Sequence, residues 1–255
     1  MPRVDIVMGT YNGGPYIREQ IRSIAYQTHT DWHLYVRDDG SKDDTVAILQ
    51  ALAADDARIT PVQDALGNLG VVRNFNCLLE QAQADYVFLC DQDDYWQTGK
   101  IARMLAFAQA QEARYGKASP LLVFSDLSVV DSDLQPLHAS FMVMQKRDRN
   151  LDCSFRNLIT QNVMPGCAMM ANRALLDVVL PISVEAEMHD WWLILAAARF
   201  GHVAYLPEPL AAYRQHANNV MGAFKTSLSA ALADARFVDG YRKRMTGGQR
   251  QALAF

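Results

Sequence analysis

The sequence predicts an α/β fold with a doubly wound, mostly parallel sheet, and three observations carry that expectation. Short β-branched segments alternate with helical stretches at a steady pace through the N-terminal part of the chain. One of them, residues 86–90, is an unbroken apolar run of the kind buried on both faces of a parallel sheet. Polar residues gather where these segments end, at 10–13, 38–41 and 91–94. Sheets of this class bind ligands at the carboxyl ends of their strands, so three polar loops are expected to converge on one crevice.

Taken in order, residues 4–8 read as a strand that runs into the loop Gly9-Thr10-Tyr11-Asn12-Gly13-Gly14-Pro15. Ile17, Ile21 and Ile24 then recur at helical spacing. A strand over 32–37 ends in Asp38-Asp39-Gly40-Ser41. Asp43 and Asp44 open a helix, where early acids suit the dipole, with Val46, Leu49 and Leu52 on its apolar side. A strand at 59–62, a helix at 74–83 and the buried strand at 86–90 follow. The second half is less regular. It reads as a helix over 99–115, a strand over 121–125 and a loop or hairpin over 134–150. After the break at Pro165-Gly166 come a strand at 167–171, a buried helix at 191–200, a strand at 203–206 and helical sequence from 219 onward.

Bulk properties narrow the function. The chain has 255 residues, half of them hydrophobic, enough for one large domain or two small ones. A formal charge of −4 argues against general nucleic-acid binding. The four cysteines, Cys77, Cys90, Cys153 and Cys167, form no Cys-x-x-Cys pair, which fits reduced thiols in the cytoplasm. The N-terminus lacks the apolar core of a signal peptide, and the apolar stretch 191–198 is far shorter than a membrane span. The glycines after the first strand do not fall at the Gly-x-Gly-x-x-Gly spacing of a dehydrogenase.

Asp91-Gln92-Asp93-Asp94 is the most informative cluster. Carboxylates two apart at the end of a buried strand suit one hard cation, Mn²⁺ or Mg²⁺. The competing reading is an acidic turn that caps the next helix. A calcium loop of the EF-hand type is excluded, because Trp96 and Ala102 stand where Gly and Glu are required.

Thr10-Tyr11-Asn12, Asp38-Asp39-Gly40-Ser41 and Asp91-Gln92-Asp93-Asp94-Tyr95-Trp96, in this order and spacing, resemble the family 2 glycosyltransferases of the GT-A fold. Three later segments are similar to the bacterial rhamnosyltransferase-type branch: Gln161-Asn162-Val163-Met164-Pro165-Gly166-Cys167, His189-Asp190-Trp191-Trp192 and Tyr213-Arg214-Gln215-His216-Ala217-Asn218-Asn219. The resemblance implies a nucleotide-sugar-binding half over 1–97, an acceptor half with the catalytic base over 98–220, and a C-terminal helical segment over 221–255. It implies that Thr10, Tyr11, Asn12, Asp39 and Asp91 hold the nucleotide sugar. Asp93, Asp91 and His216 would bind the metal, with Asp94 a credible substitute. Gly166, Cys167 and Trp191 would shape the acceptor side, and Asp190 would be the base of an inverting transfer.

The expected activity is transfer of a sugar from dTDP-rhamnose or a UDP-hexose to a glycan or polyprenyl-linked glycan. The alternative is a non-catalytic sugar-nucleotide-binding or scaffold protein, because fold alone does not prove turnover. Arg73 and Arg214 could meet phosphate, with solvated side chains as the competing role, and the competing structural roles elsewhere are an N-cap for Asp190 and core packing for one of Trp191 and Trp192. The C-terminal segment interleaves six basic residues with Phe224, Leu228, Leu232, Phe237 and Tyr241. It reads as an ordinary packed helix or as peripheral contact with the inner membrane surface.

Overall fold

The computed structural model describes residues 2–147, 151–216, 250, 251, 253 and 254. The first elements follow the apolar pattern: β1 (Val4–Thr10), α1 (Ile17–Ala25), β2 (Trp32–Asp38), α2 (Thr45–Asp55), β3 (Ile59–Pro61), α3 (Val71–Gln81) and β4 (Tyr86–Cys90). A two-residue strand, β5 (Tyr95–Trp96), and the long helix α4 (Lys100–Tyr115) come next. The remainder comprises β6 (Leu121–Val130), β7 (Pro136–His138), α5 (Phe141–Met144), α6 (Phe155–Leu158), β8 (Met169–Asn172), α7 (Arg173–Val179), α8 (His189–Phe200) and β9 (His202–Arg214).

All these strands join one sheet in the order β3-β2-β1-β4-β8-β6-β9-β5, with β7 added beside β6. The first four strands are mutually parallel, whereas β8 is antiparallel to both β4 and β6. The expected halves on either side of residue 97 therefore share a single sheet. β4 is buried throughout, as its apolar run requires. Ile17, Ile21 and Ile24 form the inner stripe of α1, each worth roughly 1.5–3 kcal/mol of burial. On α8 every residue from His189 to Ala197 is buried, and the helix packs against α3, α6, α7 and β9.

Several sequence expectations are corrected. The strand expected over 167–171 begins later, because Pro165 leads into a 3₁₀ turn at Gly166–Ala168 before β8 starts at Met169. The strand expected over 203–206 continues to Arg214 despite Pro207 and Pro209. Register shifts against β6, between Ser125 and Asp126 and between Asp126 and Ser128, accommodate a stretch in which proline cannot donate to the ladder. Residues 134–147 form a short hairpin strand against β6 and then α5, whose N-cap Ser140 accepts from the Val143 amide. The helices α6 and α7 and the short β5 are absent from the sequence expectation. The helical sequence expected after Asn219 lies almost entirely outside the described residues.

Gly201 turns α8 into β9 directly against Pro120, whose carbonyl accepts from the His202 amide at 2.9 Å. A Cβ at Gly201 would collide with that carbonyl. Gly201→Ala is expected to cost about 1–3 kcal/mol, read as a lower urea midpoint at unchanged slope.

Candidate functional site

The three polar loops do converge. Thr10, Tyr11, Asp39, Asp91, Gln92, Asp93, Gly166, His189 and Asp190 are among the residues lining one cleft of about 330 Å³. Its construction begins at the end of β1, where the Thr10 hydroxyl donates to Asp38 Oδ1 at 3.0 Å. Asp38 Oδ2 in turn accepts from the amides of Gly40 and Ser41 at 3.1 and 2.8 Å, fixing the loop after β2.

Asp39 organises the next wall. Its Oδ1 accepts from Leu69 N at 2.7 Å and from Arg37 at 2.9 Å, and its Oδ2 accepts from Gly70 N at 2.9 Å. A carboxylate offers about four acceptor positions, so roughly one is left for a ligand N–H. Gly70 adopts φ +76°, a conformation that costs glycine little, and α3 starts directly after it. Arg37 is buried behind this wall and also pairs with Asp64 at 2.7 Å. The Asp64 contact leads in holding its guanidinium pKa above the ordinary value.

The acidic turn forms the floor. Gln92 clips the first loop to it, because Tyr11 N donates to Gln92 Oε1 at 2.9 Å and Gln92 Nε2 donates to Tyr11 O at 3.1 Å. From the other side, β9 is latched onto the turn. Arg214 N donates to Asp94 Oδ1 at 3.1 Å and Arg214 Nε to the Asp93 carbonyl at 2.7 Å, while its guanidinium also reaches Ser132 O and Glu19. His216, next on the chain but one, places Nε2 at 2.9 Å from Asp93 Oδ2 and stacks on Tyr16.

These contacts divide the acids. Asp91 and Asp93 line the cleft, whereas Asp94 is fully buried beneath it. Burial pushes the Asp91 carboxyl well above the usual carboxylate range, and the charges of Asp94, Asp93 and Asp190 add to this. Burial followed by the charge of Asp93 raises Asp94 to about 7. The fully buried Lys100 lies below, donating to the Cys167 carbonyl and sitting 4.2 Å from the centre of the Trp96 ring. Burial raises the Cys90 and Cys167 thiols, which keeps them protonated and inert as nucleophiles. Asp91, Asp93 and His216 are donor types that a divalent cation takes, and His216 meets Asp93 directly, but among the described residues the groups whose donor atoms lie within 4.8 Å of one another are Asp91, Asp94 and Cys167.

The opposite wall comes from the second half of the chain. Asp190 is 5 % exposed and is the second residue of α8, so it is not the N-cap, which is Met188. Its Oδ1 accepts from the Trp191 amide at 2.7 Å. Gly166 makes room here, since a Cβ on it would lie 3.1 Å from His189 Nε2 and 3.3 Å from Asp190 Cβ.

Other expected site residues stand elsewhere. Asn12 is not among the cleft-lining residues. It ties the first two loops together, donating its amide to Ser41 Oγ at 2.8 Å and accepting from Lys42 N at 2.9 Å. Cys167 is wholly buried under the floor, near Asp91 and Asp94. Trp191 is core, with its indole N–H donating to Leu158 O at 2.7 Å. Arg214 is a structural brace and not a phosphate ligand, and Arg73 is exposed outside the cleft lining. Sequence reasoning assigned no role to Gln92, Asn68, Gly70, Asn74, Phe75 or Tyr213, all of which line the cleft. The glycine preceding a helical stretch and the amide inside the acidic cluster were the available signals.

A mixed α/β sheet with a nucleotide-type crevice at its strand ends and an acidic turn on its floor defines the GT-A class of architecture. The chain belongs to glycosyl transferase family 2, whose model matches residues 5–178. Among curated relatives, an uncharacterised protein of Mycobacterium tuberculosis is 29% identical over 220 residues, 85% of this chain, and the chain spans 60% of its length. A dTDP-rhamnosyl transferase of Shigella flexneri is 25% identical over 265 residues, covering 91% of this chain and 86% of the relative. Among solved structures, Staphylococcus aureus TarS 1–349 has a TM-score of 0.62 at 20% identity, over 83% of this chain and 60% of that one. A mannosyltransferase of Pyrobaculum calidifontis, solved with GDP-Man and Mn²⁺, has a TM-score of 0.61 at 16% identity, over 99% of this chain and 74% of that one.

Asp94 carries a pH signature. Its folded pKa of about 7 lies above the ordinary 3.8, so its contribution to stability is full below pH 4 and is lost as pH rises through 7. In metal-free protein, Asp94→Asn is expected to flatten that decline by something on the order of 2–4 kcal/mol, as measured by urea unfolding at pH 5 and pH 8.

Proposed function

We propose that the chain transfers a sugar, with inversion, from a nucleotide donor to a hydroxyl of a glycan or polyprenyl-linked glycan in bacterial surface polysaccharide synthesis. The observation that carries this reading is Asp190, which faces from the second half of the chain into the same cleft as Asp91 and Asp93. An acid over an acidic floor makes sense when one carboxylate receives a proton and the others would hold the cation that meets a leaving diphosphate. The donor class is dTDP-rhamnose or a UDP-hexose, supported by the rhamnosyl transferase relative.

Thr10, Tyr11 and Asp39 hold the nucleoside at one end, with Asp39 giving its free acceptor position to a base N–H. Asp91 and Asp93, with His216, would hold Mn²⁺ or Mg²⁺, which supplies positive charge to the diphosphate when bound. Gln92 keeps the Tyr11 backbone fixed over that end. The acceptor hydroxyl enters beside Gly166, and its oxygen attacks the anomeric carbon from the face opposite the diphosphate. Its proton passes to a carboxylate oxygen of Asp190 as the new C–O bond forms. The bond between the anomeric carbon and the diphosphate breaks, and the nucleoside diphosphate leaves with the electron pair. No protein acid is needed for that leaving group. Asp190 Oδ1 accepts from the Trp191 amide at 2.7 Å, which fixes the orientation of the carboxylate at the cleft edge.

No helix of the described residues is long and apolar enough to cross a membrane. The reading places the enzyme in the cytoplasm, with membrane contact through the basic segment beyond residue 220, most of which lies outside the described residues.

Asp190→Asn is expected to lower nucleoside diphosphate release by about 10²–10⁴-fold in the presence of Mn²⁺ and acceptor, while donor binding by calorimetry stays close to wild type. Normal turnover by that variant would remove Asp190 from the reaction.

A further inference from the structure

His189 stands immediately before Asp190 and is unusual among the buried polar side chains. It is 3 % exposed, it lines the cleft, and neither ring nitrogen has a hydrogen-bond partner. Burial holds its pKa below the ordinary value, and the charge of Asp190 only partly opposes this. The ring is therefore neutral near pH 7, with one nitrogen donating and the other accepting. Nothing on its packed side can use either nitrogen. That face lies flat on Phe75, with ring centres 3.7 Å apart and planes within 6°. A buried donor and acceptor without partners are a standing cost to the folded chain. Such groups persist where a ligand completes them.

The location tells which ligand. Phe75 belongs to α3, the helix that starts at the Asp39 wall, and its ring edge comes within 3.2 Å of where a Cβ on Gly9 would sit at the end of β1. His189 is thus fixed on the donor side of Asp190, between the nucleoside end and the attacking face. Its Nε2 points towards Gly166, where a Cβ would stand only 3.1 Å away. A neutral imidazole beside Asp190 suits an uncharged hydroxyl, which can donate to one ring nitrogen or accept from the other, better than it suits a phosphate.

From this we propose that His189 is the specificity residue for the transferred sugar, hydrogen-bonding a ring hydroxyl of the donor sugar while Phe75 holds the imidazole in plane. The proposal rests on the reading of the cleft as a donor site. His189 touches the sugar and takes no proton from the acceptor, a role left to Asp190.

The test compares sugar nucleotides with their own nucleoside diphosphates. Calorimetry with Mn²⁺ would use UDP, dTDP and GDP beside UDP-glucose, UDP-N-acetylglucosamine, dTDP-rhamnose and GDP-mannose. The proteins are the wild type, His189→Phe, which keeps the stack and loses both nitrogens, and His189→Gln, which restores a donor and an acceptor. For the sugar nucleotide that the wild type binds best, His189→Phe is expected to bind about ten-fold or more weakly, with affinity for the free diphosphate unchanged. His189→Gln recovers part of the loss. The Tm of His189→Phe without ligand is expected to equal or exceed that of the wild type, since a group without partners has been removed. An equal loss for sugar nucleotide and free diphosphate, or no loss for either, overturns the proposal and leaves the donor-site reading standing. If the wild type binds none of the seven nucleotides, the donor-site reading falls and the proposal with it.

Discussion

The arrangement of the cleft depends on the latch between the end of β9 and the acidic turn after β4. Arg214 holds the turn by its own backbone amide and by its guanidinium, and the same guanidinium is shared with Glu19 on α1 and the Ser132 carbonyl. A cation buried to 2 % exposure is tolerable only when its donors are met, and here they are met by groups from three separate stretches of chain. The latch puts His216 against Asp93, pairs β5 with β9 and turns Asp94 under the floor. Without it, the carboxylates after β4 would be a solvated acidic loop. With it, they are sorted into two that face the cleft and one that does not.

The opposing walls are set by different physics. On one side, Asp39 recruits backbone amides 30 residues away and is itself held by the buried Arg37, so the wall is an electrostatic assembly. On the other, α8 is held by apolar burial along most of its length, and its first turn delivers His189 and Asp190 to the cleft edge. The second arrangement is the stiffer one, because close-packed side chains have few alternative positions.

Much of this was legible in the sequence where one residue type had one physical use. The parallel half of the sheet follows from segments such as 86–90, and the convergence of Thr10, Asp39 and Asp91 follows from strand ends alone. Asp190 stands out through motif resemblance alone, and the structure places it in the cleft wall. What could not be read depended on partners far along the chain. Pro207 and Pro209 argue locally against a strand, yet β9 runs through them because β6 shifts register alongside. Asn12, Cys167 and Trp191 carry polar or aromatic groups that suit a site equally well, and only the tertiary arrangement turns them to a loop, the floor and the core. Gln92 was invisible for the opposite reason, since an amide amid three aspartates draws no notice until Tyr11 is seen against it.

The polar atoms left without partners beneath and beside the cleft have a further meaning. His189 has two such nitrogens and Asp94 one such oxygen, and Lys100 is a cation buried among them. Three of the six such atoms among the described residues lie here, the others being on Trp32, Arg147 and Gln251, so a cost to folding is concentrated at the strand ends where the ligand would lie. Selection for robustness alone would replace these residues with apolar ones of similar volume and gain by it. A lineage released from its substrate should drift in that direction first, so that the loss of polar character at positions 94, 100 and 189 would mark descendants that kept the fold and gave up the chemistry.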